Sequence, residues 1–145
     1  QVKRLLSARD GAYGNGHRLF RWKRTLTAEQ IKYKLNFAEN ETPISIEVLE
    51  RGPSGRALAL EIKADQETSS VVLRLDAIRK NLNVLPSTLF FVEKVEEGVW
   101  EFSGGGFGHG AGLSQAGAID LALRGWNARK ILKYYYPGTT YESFK

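Results

Sequence analysis

Phe102–Gln115, FSGGGFGHGAGLSQ, places six of the chain's 15 glycines around one of its two histidines. A strand-like segment, Val99–Phe102, leads in, and a helix-like segment capped by Ser114 leads out. The stretch therefore reads as strand, glycine loop and helix N-terminus. Gly104, Gly105, Gly106, Gly108, Gly110 and Gly112 remove side-chain bulk where the backbone must turn sharply or a ligand must come close. His109, Ser114 and Gln115 are the polar groups left in that cleared space. Phe107, with glycine on each side, has few local packing partners. Loops of this kind carry function more often than packing, so Gly106, Phe107, Gly108, His109, Gly110, Ser114 and Gln115 form the candidate site.

Downstream, Ile119, Ala122, Leu123 and Trp126 recur at helical spacing, and Gly125 suits a left-handed C-terminal position. Asn127 can cap a second helix bearing Ile131, Leu132 and Tyr135, which stops at Pro137-Gly138. Upstream, the pattern is mostly β. Arg18–Arg24 alternates as a half-buried strand with Phe20 and Trp22 on one face. Thr27 with Gln30 predicts a capping box for a short helix carrying Ile31 and Leu35. Ile44, Ile46 and Val48 mark a strand, Gly52–Gly55 a turn, and Arg56–Ala64 the returning strand of a hairpin. Ser70–Leu75 is a further strand, Asp76 caps a short helix with Ile78 and Leu82, and Leu89–Val95 turns at Gly98 into Val99–Phe102. Residues 1–17 carry little periodicity, and Asp10–His17 (DGAYGNGH) reads as a loop. The expected fold is a single α+β domain over residues 1–145. It has meandering antiparallel strands and hairpins with short helices, and it ends in the glycine loop and two helices.

Composition sets outer bounds. At 145 residues, with 42% hydrophobic and 26% charged residues, the chain can bury its own core. No apolar run reaches the length of a membrane span. Cys is absent, which removes disulfides and thiolate metal ligands. Met is absent and residue 1 is Gln, which points to a processed chain or a fragment of a longer one. The net charge of +5 suits polyanionic surroundings, whether nucleic acid, anionic wall polymer or lipid headgroups; a merely solvated basic surface is the plainer alternative.

Several chemistries fit the loop poorly. Gly106–Ala111 approaches a dinucleotide fingerprint, but no βαβ unit surrounds it, and Arg129 and Lys130 stand where an acid should hold a ribose. A zinc site needs three or four ligands, and the chain offers two distant histidines, His17 and His109. Ser114, five residues after His109, sits on a cap and not on a nucleophile turn. Sugar hydroxyls suit the loop better, since they need donors and acceptors beside flat apolar faces. Phe107, Trp126, Tyr134, Tyr135 and Tyr136 are candidate faces, with core packing the alternative for Trp126 and Tyr135.

The residues also resemble a known family. GGGFGHGAGLSQAGA (Gly104–Ala118) followed by ALRGWNARKILKYYYPGT (Ala122–Thr139) is similar to the C-terminal signature of SpoIID/LytB domains. Arg18–Ile31, Leu49–Ala57 and Leu85–Phe90 share the likeness, while Leu113 stands where Met is common. The resemblance implies an exported protein of the bacterial cell envelope that meets peptidoglycan glycan strands, with no nucleic acid partner. Sporulation members are lytic transglycosylases that cleave the β-1,4 bond between N-acetylmuramic acid and N-acetylglucosamine, a chemistry that implies no metal and no organic cofactor. Their catalytic Glu lies upstream of everything matched here, so the resemblance implies no catalytic residue in this chain and an acid supplied by a preceding segment, as part of the same protein or as a separate chain. The LytB part of the name implies the other reading, a non-catalytic wall-binding or amidase-stimulating module with an amidase as partner.

Overall fold

A computed structural model of the chain describes residues 1–8, 11–65, 69–82 and 85–142. The elements run α1 (Val2–Ser7), β1 (Trp22–Thr27), α2 (Ala28–Leu35), β2 (Pro43–Arg51), β3 (Ala57–Ala64), β4 (Ser70–Arg74), α3 (Asp76–Asn81), β5 (Phe90–Glu96), β6 (Val99–Gly104), α4 (Gln115–Leu123) and α5 (Ala128–Tyr135). The strands form two antiparallel three-stranded sheets, ordered β1-β6-β5 and β2-β3-β4. This is the expected α+β arrangement, with β2-β3-β4 as a meander and β5-β6 as a hairpin. The long-range step is β1, which pairs with β6 from Trp22↔Gly104 to Thr27↔Val99.

Both sheets and two short helices bury side chains in one core. Ile31, Leu60, Ile62, Ile78, Phe90, Trp100 and Phe102 are each at most 2% exposed. Burying a side chain of this size contributes about 1.5–3 kcal/mol before chain entropy is charged against it. Phe90 and Phe102 meet edge to face with centroids 5.3 Å apart, a favoured aromatic geometry.

Gly104 joins this core to the loop. It stands opposite both Trp22 and Phe90 across the central strand. A Cβ at Gly104 would overlap the Trp22 indole, so only glycine leaves room for the ring. Trp22 Nε1 then donates to the Gly106 carbonyl at 3.0 Å, tying the start of the loop to a buried aromatic.

The capping signals hold. Thr27 and Gln30 make both bonds of the capping box. Ser114 accepts from Gly117 N and Asn127 from Lys130 N, and Gly125 takes φ +84°.

Elsewhere tertiary contacts decide. The strand expected from Arg18 begins only at Trp22, because Phe20 N donates to His17 O and closes a turn. Asp76 lies inside the first turn of α3 and not at its cap, and its carboxylate goes to Arg79 and Lys80. Val2–Ser7 is helical, a single turn and a half that buries Val2 and Leu6. Asp10, the first residue of the expected loop, lies outside the described residues. In α4 the expected apolar stripe faces outward, with Ile119 63% and Leu123 84% exposed, while Gly117 and Leu121 are buried. The reason is steric. A Cβ on Gly14 would come within 2.9 Å of the α4 backbone at Ala116–Gly117, and Gly14 N donates to Asp120 Oδ2 at 3.0 Å. Small residues on both sides set this close approach; Leu121 turns inward, while Ile119 and Leu123 are left on the open cleft beside the Gly14–His17 loop.

Candidate functional site

The glycine loop has an anchored half and a projecting half. Gly105 N donates to Leu89 O, Gly106 N to Leu19 O and Gly108 N to Pro86 O, each at 2.9 Å. Ser87, fully buried, donates to Gly105 O at 2.6 Å and forms a parallel bridge with Gly108. From Gly106 to Gly112 every second residue is a glycine with φ between +77° and +107°. Side-chain-bearing residues rarely adopt that conformation, so the glycines are required by the path of the chain.

The projecting half carries the expected site residues. Phe107 is 68% exposed, and His109 and Gly110 are exposed beside it. His109 Nδ1 accepts from Ala111 N at 3.1 Å. In the neutral ring the proton is therefore on Nε2, which presents the imidazole as a donor. Gln115 is exposed in the first turn of α4. Ser114 belongs to the architecture, since its hydroxyl accepts from Gly117 N at 3.2 Å and meets the Tyr135 hydroxyl.

Two tyrosines of α5 and its C-cap close the far side of the loop. Leu113 N donates to Tyr136 Oη at 3.1 Å, and a Cβ at Gly112 would come within 3.0 Å of that oxygen. A Cβ at Gly117 would overlap the Tyr135 hydroxyl. Burial pushes the Tyr135 phenol up from its ordinary value, partly offset by the bond with Ser114. Trp126, Tyr134 and Tyr135 belong to an aromatic cluster with Tyr13, separate from the main core. Lys130 Nζ covers the Trp126 ring at 3.9 Å from its centroid. Of the aromatics expected as sugar faces, Phe107, Tyr134 and Tyr136 are the exposed ones.

Beneath the loop lie two arginines that the sequence reading passed over. A Cβ at Gly110 would overlap the Arg56 guanidinium, so that group packs against the Gly110 backbone. Arg79 Cζ lies 5.8 Å from the Phe107 ring centroid, and the Arg79 side chain reaches Asp76 at 2.8 Å and Leu85 O at 3.2 Å. Burial, with Arg79 close by, pushes the Arg56 guanidinium down from its ordinary value. Arg56 sits 54 positions before Gly110, at the end of a hairpin turn, and no local pattern connects them.

Acids are placed differently. Phe102 to Ile119 contains no Asp or Glu. Among the described residues, the carboxylates displaced from their ordinary values are Glu41, Asp76, Glu101 and Asp120, and all are displaced downward. The leading cause is a hydrogen bond from Ser69 for Glu41, Lys80 for Asp76, Lys23 for Glu101 and Arg124 for Asp120. No three His, Asp or Glu side chains among the described residues gather closely enough to hold a metal ion. Open clefts also lie away from the projecting half of the loop. One of about 550 Å³ runs between α1 and the β1-β6-β5 sheet, lined in part by Lys3, Trp22 and Glu101. Another of about 370 Å³ lies where the Gly14–His17 loop meets α4. Among the described residues no helix is long and apolar enough to cross a membrane.

Over 61 residues the chain is 46% identical to the "Amidase enhancer" of Bacillus subtilis (strain 168), covering 42% of this chain and 8% of that protein. Over 121 residues it is 31% identical to an uncharacterized protein of Brachyspira hyodysenteriae (strain ATCC 49526 / WA1), covering 81% of this chain and 31% of that protein. The chain thus spans less than a third of the length of these curated relatives. A family model matches residues 1–112, from α1 to the last glycine of the loop. The chain belongs to the family described as a domain of unknown function, DUF8618.

Proposed function

We propose that residues 1–145 are the C-terminal part of a SpoIID/LytB-like domain, exported to the bacterial cell envelope, that binds peptidoglycan glycan strands at the glycine loop and stimulates an amidase there. The observation that carries this reading is the projecting loop itself. Phe107 offers a flat apolar face and His109 a ring donor, with glycine backbone between them and no bulk to keep a sugar ring away. Gly106, Gly108 and Gly110 admit the polymer, and Gln115 adds an amide within the same segment. Similarity to a protein named Amidase enhancer supports the stimulating role. The net charge of +5 favours an anionic wall.

A lytic transglycosylase is the second reading, and it needs an acid from outside this chain. Protonating a glycosidic oxygen requires a carboxyl group that holds its proton near neutral pH. The displaced carboxylates here are all held ionised by lysine, arginine or hydroxyl partners, which suits structure and not proton donation. A preceding segment, in the same protein or as a separate chain, would supply the group.

Co-sedimentation with purified peptidoglycan sacculi tests the binding site. The intact chain should pellet, less so in high salt, and His109→Ala and Phe107→Ala should each leave more protein in the supernatant. If both variants pellet like the parent, the loop is not the binding surface. Addition of the chain to a purified wall amidase should raise its rate on the same sacculi. Unchanged rates with binding intact would remove the stimulating role alone.

A further inference from the structure

The guanidinium groups packed into this fold mostly have acceptors. Arg21 donates to the carbonyls of Leu6 and Phe20, Arg51 to those of Gly55 and Phe90, and Arg79 to Asp76 and Leu85 O. Arg56 is the exception. Its Nη1 is buried and has no hydrogen-bond partner among the described residues, while the rest of its guanidinium packs on Gly110. Arg56 is half-buried, and a guanidinium nitrogen taken out of water with no acceptor is costly until an acceptor completes it.

We propose that Arg56, seconded by Arg79, is a binding site for a carboxylate under the glycine loop. The charge balance favours a single negative charge. Arg79 already faces Asp76, which the exposed Lys80 shares, so Arg56 is the cation left uncompensated. The planar fork of a guanidinium matches the two oxygens of a carboxylate. The lid over the site is Gly110, whose φ of +78° and missing side chain let the backbone rest on Arg56. Movement of that one peptide uncovers the Nε and Nη2 edge of the guanidinium, and a carboxylate that enters takes the place of the glycine contact. Phe107, within reach of Arg79, forms the outer wall. The site is independent of whether a glycan binds above it.

Sodium acetate is the probe, titrated against sodium chloride at equal ionic strength. Acetate should raise the melting temperature of the intact chain saturably, beyond the effect of chloride, and shift the Arg56 Nε–H resonance. Arg56→Met, which keeps the stem and removes the charge, should abolish the acetate effect, and Arg56→Lys should weaken it by about tenfold or more in affinity. Glucuronate in place of acetate separates the sources. A larger response assigns the carboxylate to a sugar, equal responses assign it to the carboxylate alone, and both support the site. The proposal is overturned if acetate acts no differently from chloride, if Arg56→Met responds like the parent, or if phosphate stabilises the chain where acetate does not. Should Arg56→Met fail to fold, an Arg56 resonance that does not move with acetate in the parent overturns it equally.

Discussion

The Leu113 amide donates to the Tyr136 hydroxyl at 3.1 Å, which ties the exit of the glycine loop to the end of α5 across 23 residues. Together with the overlap between Gly117 and Tyr135, it explains why a glycine loop and a Tyr-Tyr-Pro-Gly segment occur in one chain. The second holds the exit of the first. Tyr136→Phe keeps the ring and removes the acceptor. It should cost about 1 kcal/mol, the usual net worth of one such bond. Hydrogen exchange at the Leu113 amide should speed up, with little change in the β6 amides. An unchanged exchange rate at Leu113 would show that the loop exit is held by something else.

Gly117→Ala sets two effects against each other. Alanine inside a helix is favoured over glycine by about 1 kcal/mol. At this position, however, the new Cβ overlaps the Tyr135 hydroxyl and lies 3.4 Å from Ser114 Oγ, and both belong to neighbours held in place. Overpacking of this kind costs about 1–3 kcal/mol, so the variant should be less stable in urea denaturation. Removing the hydroxyl with Tyr135→Phe in the same chain should recover most of the loss. Failure to recover would locate the strain in the helix backbone and not at the tyrosine.

Elements whose causes are local could be read from sequence, and the loop is the best example. Thr27, Ser114, Asn127 and Gly125 act within four residues of their partners, so their caps were legible. The hairpins at Gly52–Gly55 and Gly98 were legible for the same reason. The outward face of α4 was not. Periodicity groups Ile119 with Leu123, but the docking face is chosen by Gly14, a hundred residues earlier, and by the room at Gly117. Among the candidate site residues, Phe107, His109 and Gly110 are exposed on one loop, as the absence of neighbouring bulk implies. Ser114 looks the same in sequence but faces its own helix. Arg56 gave no signal, because its contact with Gly110 joins positions 54 residues apart that no local pattern connects.

Asp120 should govern part of the acid sensitivity. Its carboxylate accepts from Arg124 at 3.0 Å and from Gly14 N at 3.0 Å, and these bonds hold it below its ordinary value of 3.8. A carboxyl lowered on folding stabilises the native state above its unfolded value, and that contribution is lost as pH falls through the lowered native one. Melting temperature should therefore decline below about pH 4. Asp120→Asn keeps a side-chain acceptor for Gly14 but has no charge to lose, so its acid decline should be shallower. Parallel curves for the two proteins would assign acid sensitivity to Glu41, Asp76 and Glu101 instead.

Leu75 is the place where a substitution should strengthen the fold. It enters α3 at φ 50° and ψ −126°, a region that glycine occupies freely and a side chain does not. The chain is held there from both sides, by Leu75 N donating to Leu58 O at 2.9 Å and Ile78 N donating to Leu75 O at 3.2 Å. Strain of this kind costs about 1–3 kcal/mol. Leu75 is 62% exposed, so little burial is lost when its side chain is removed. Glycine also loosens the unfolded chain, which takes back about 0.4–1 kcal/mol. Leu75→Gly should still come out more stable by about 1 kcal/mol on that balance. Leu75→Ala is the discriminating control, because it sheds the exposed side chain but keeps the Cβ that causes the strain. Urea midpoints should rank the glycine variant above both the parent and the alanine variant. An alanine variant equal to the glycine one would mean that the leucine side chain, and not the backbone angle, is what the fold tolerates at a cost.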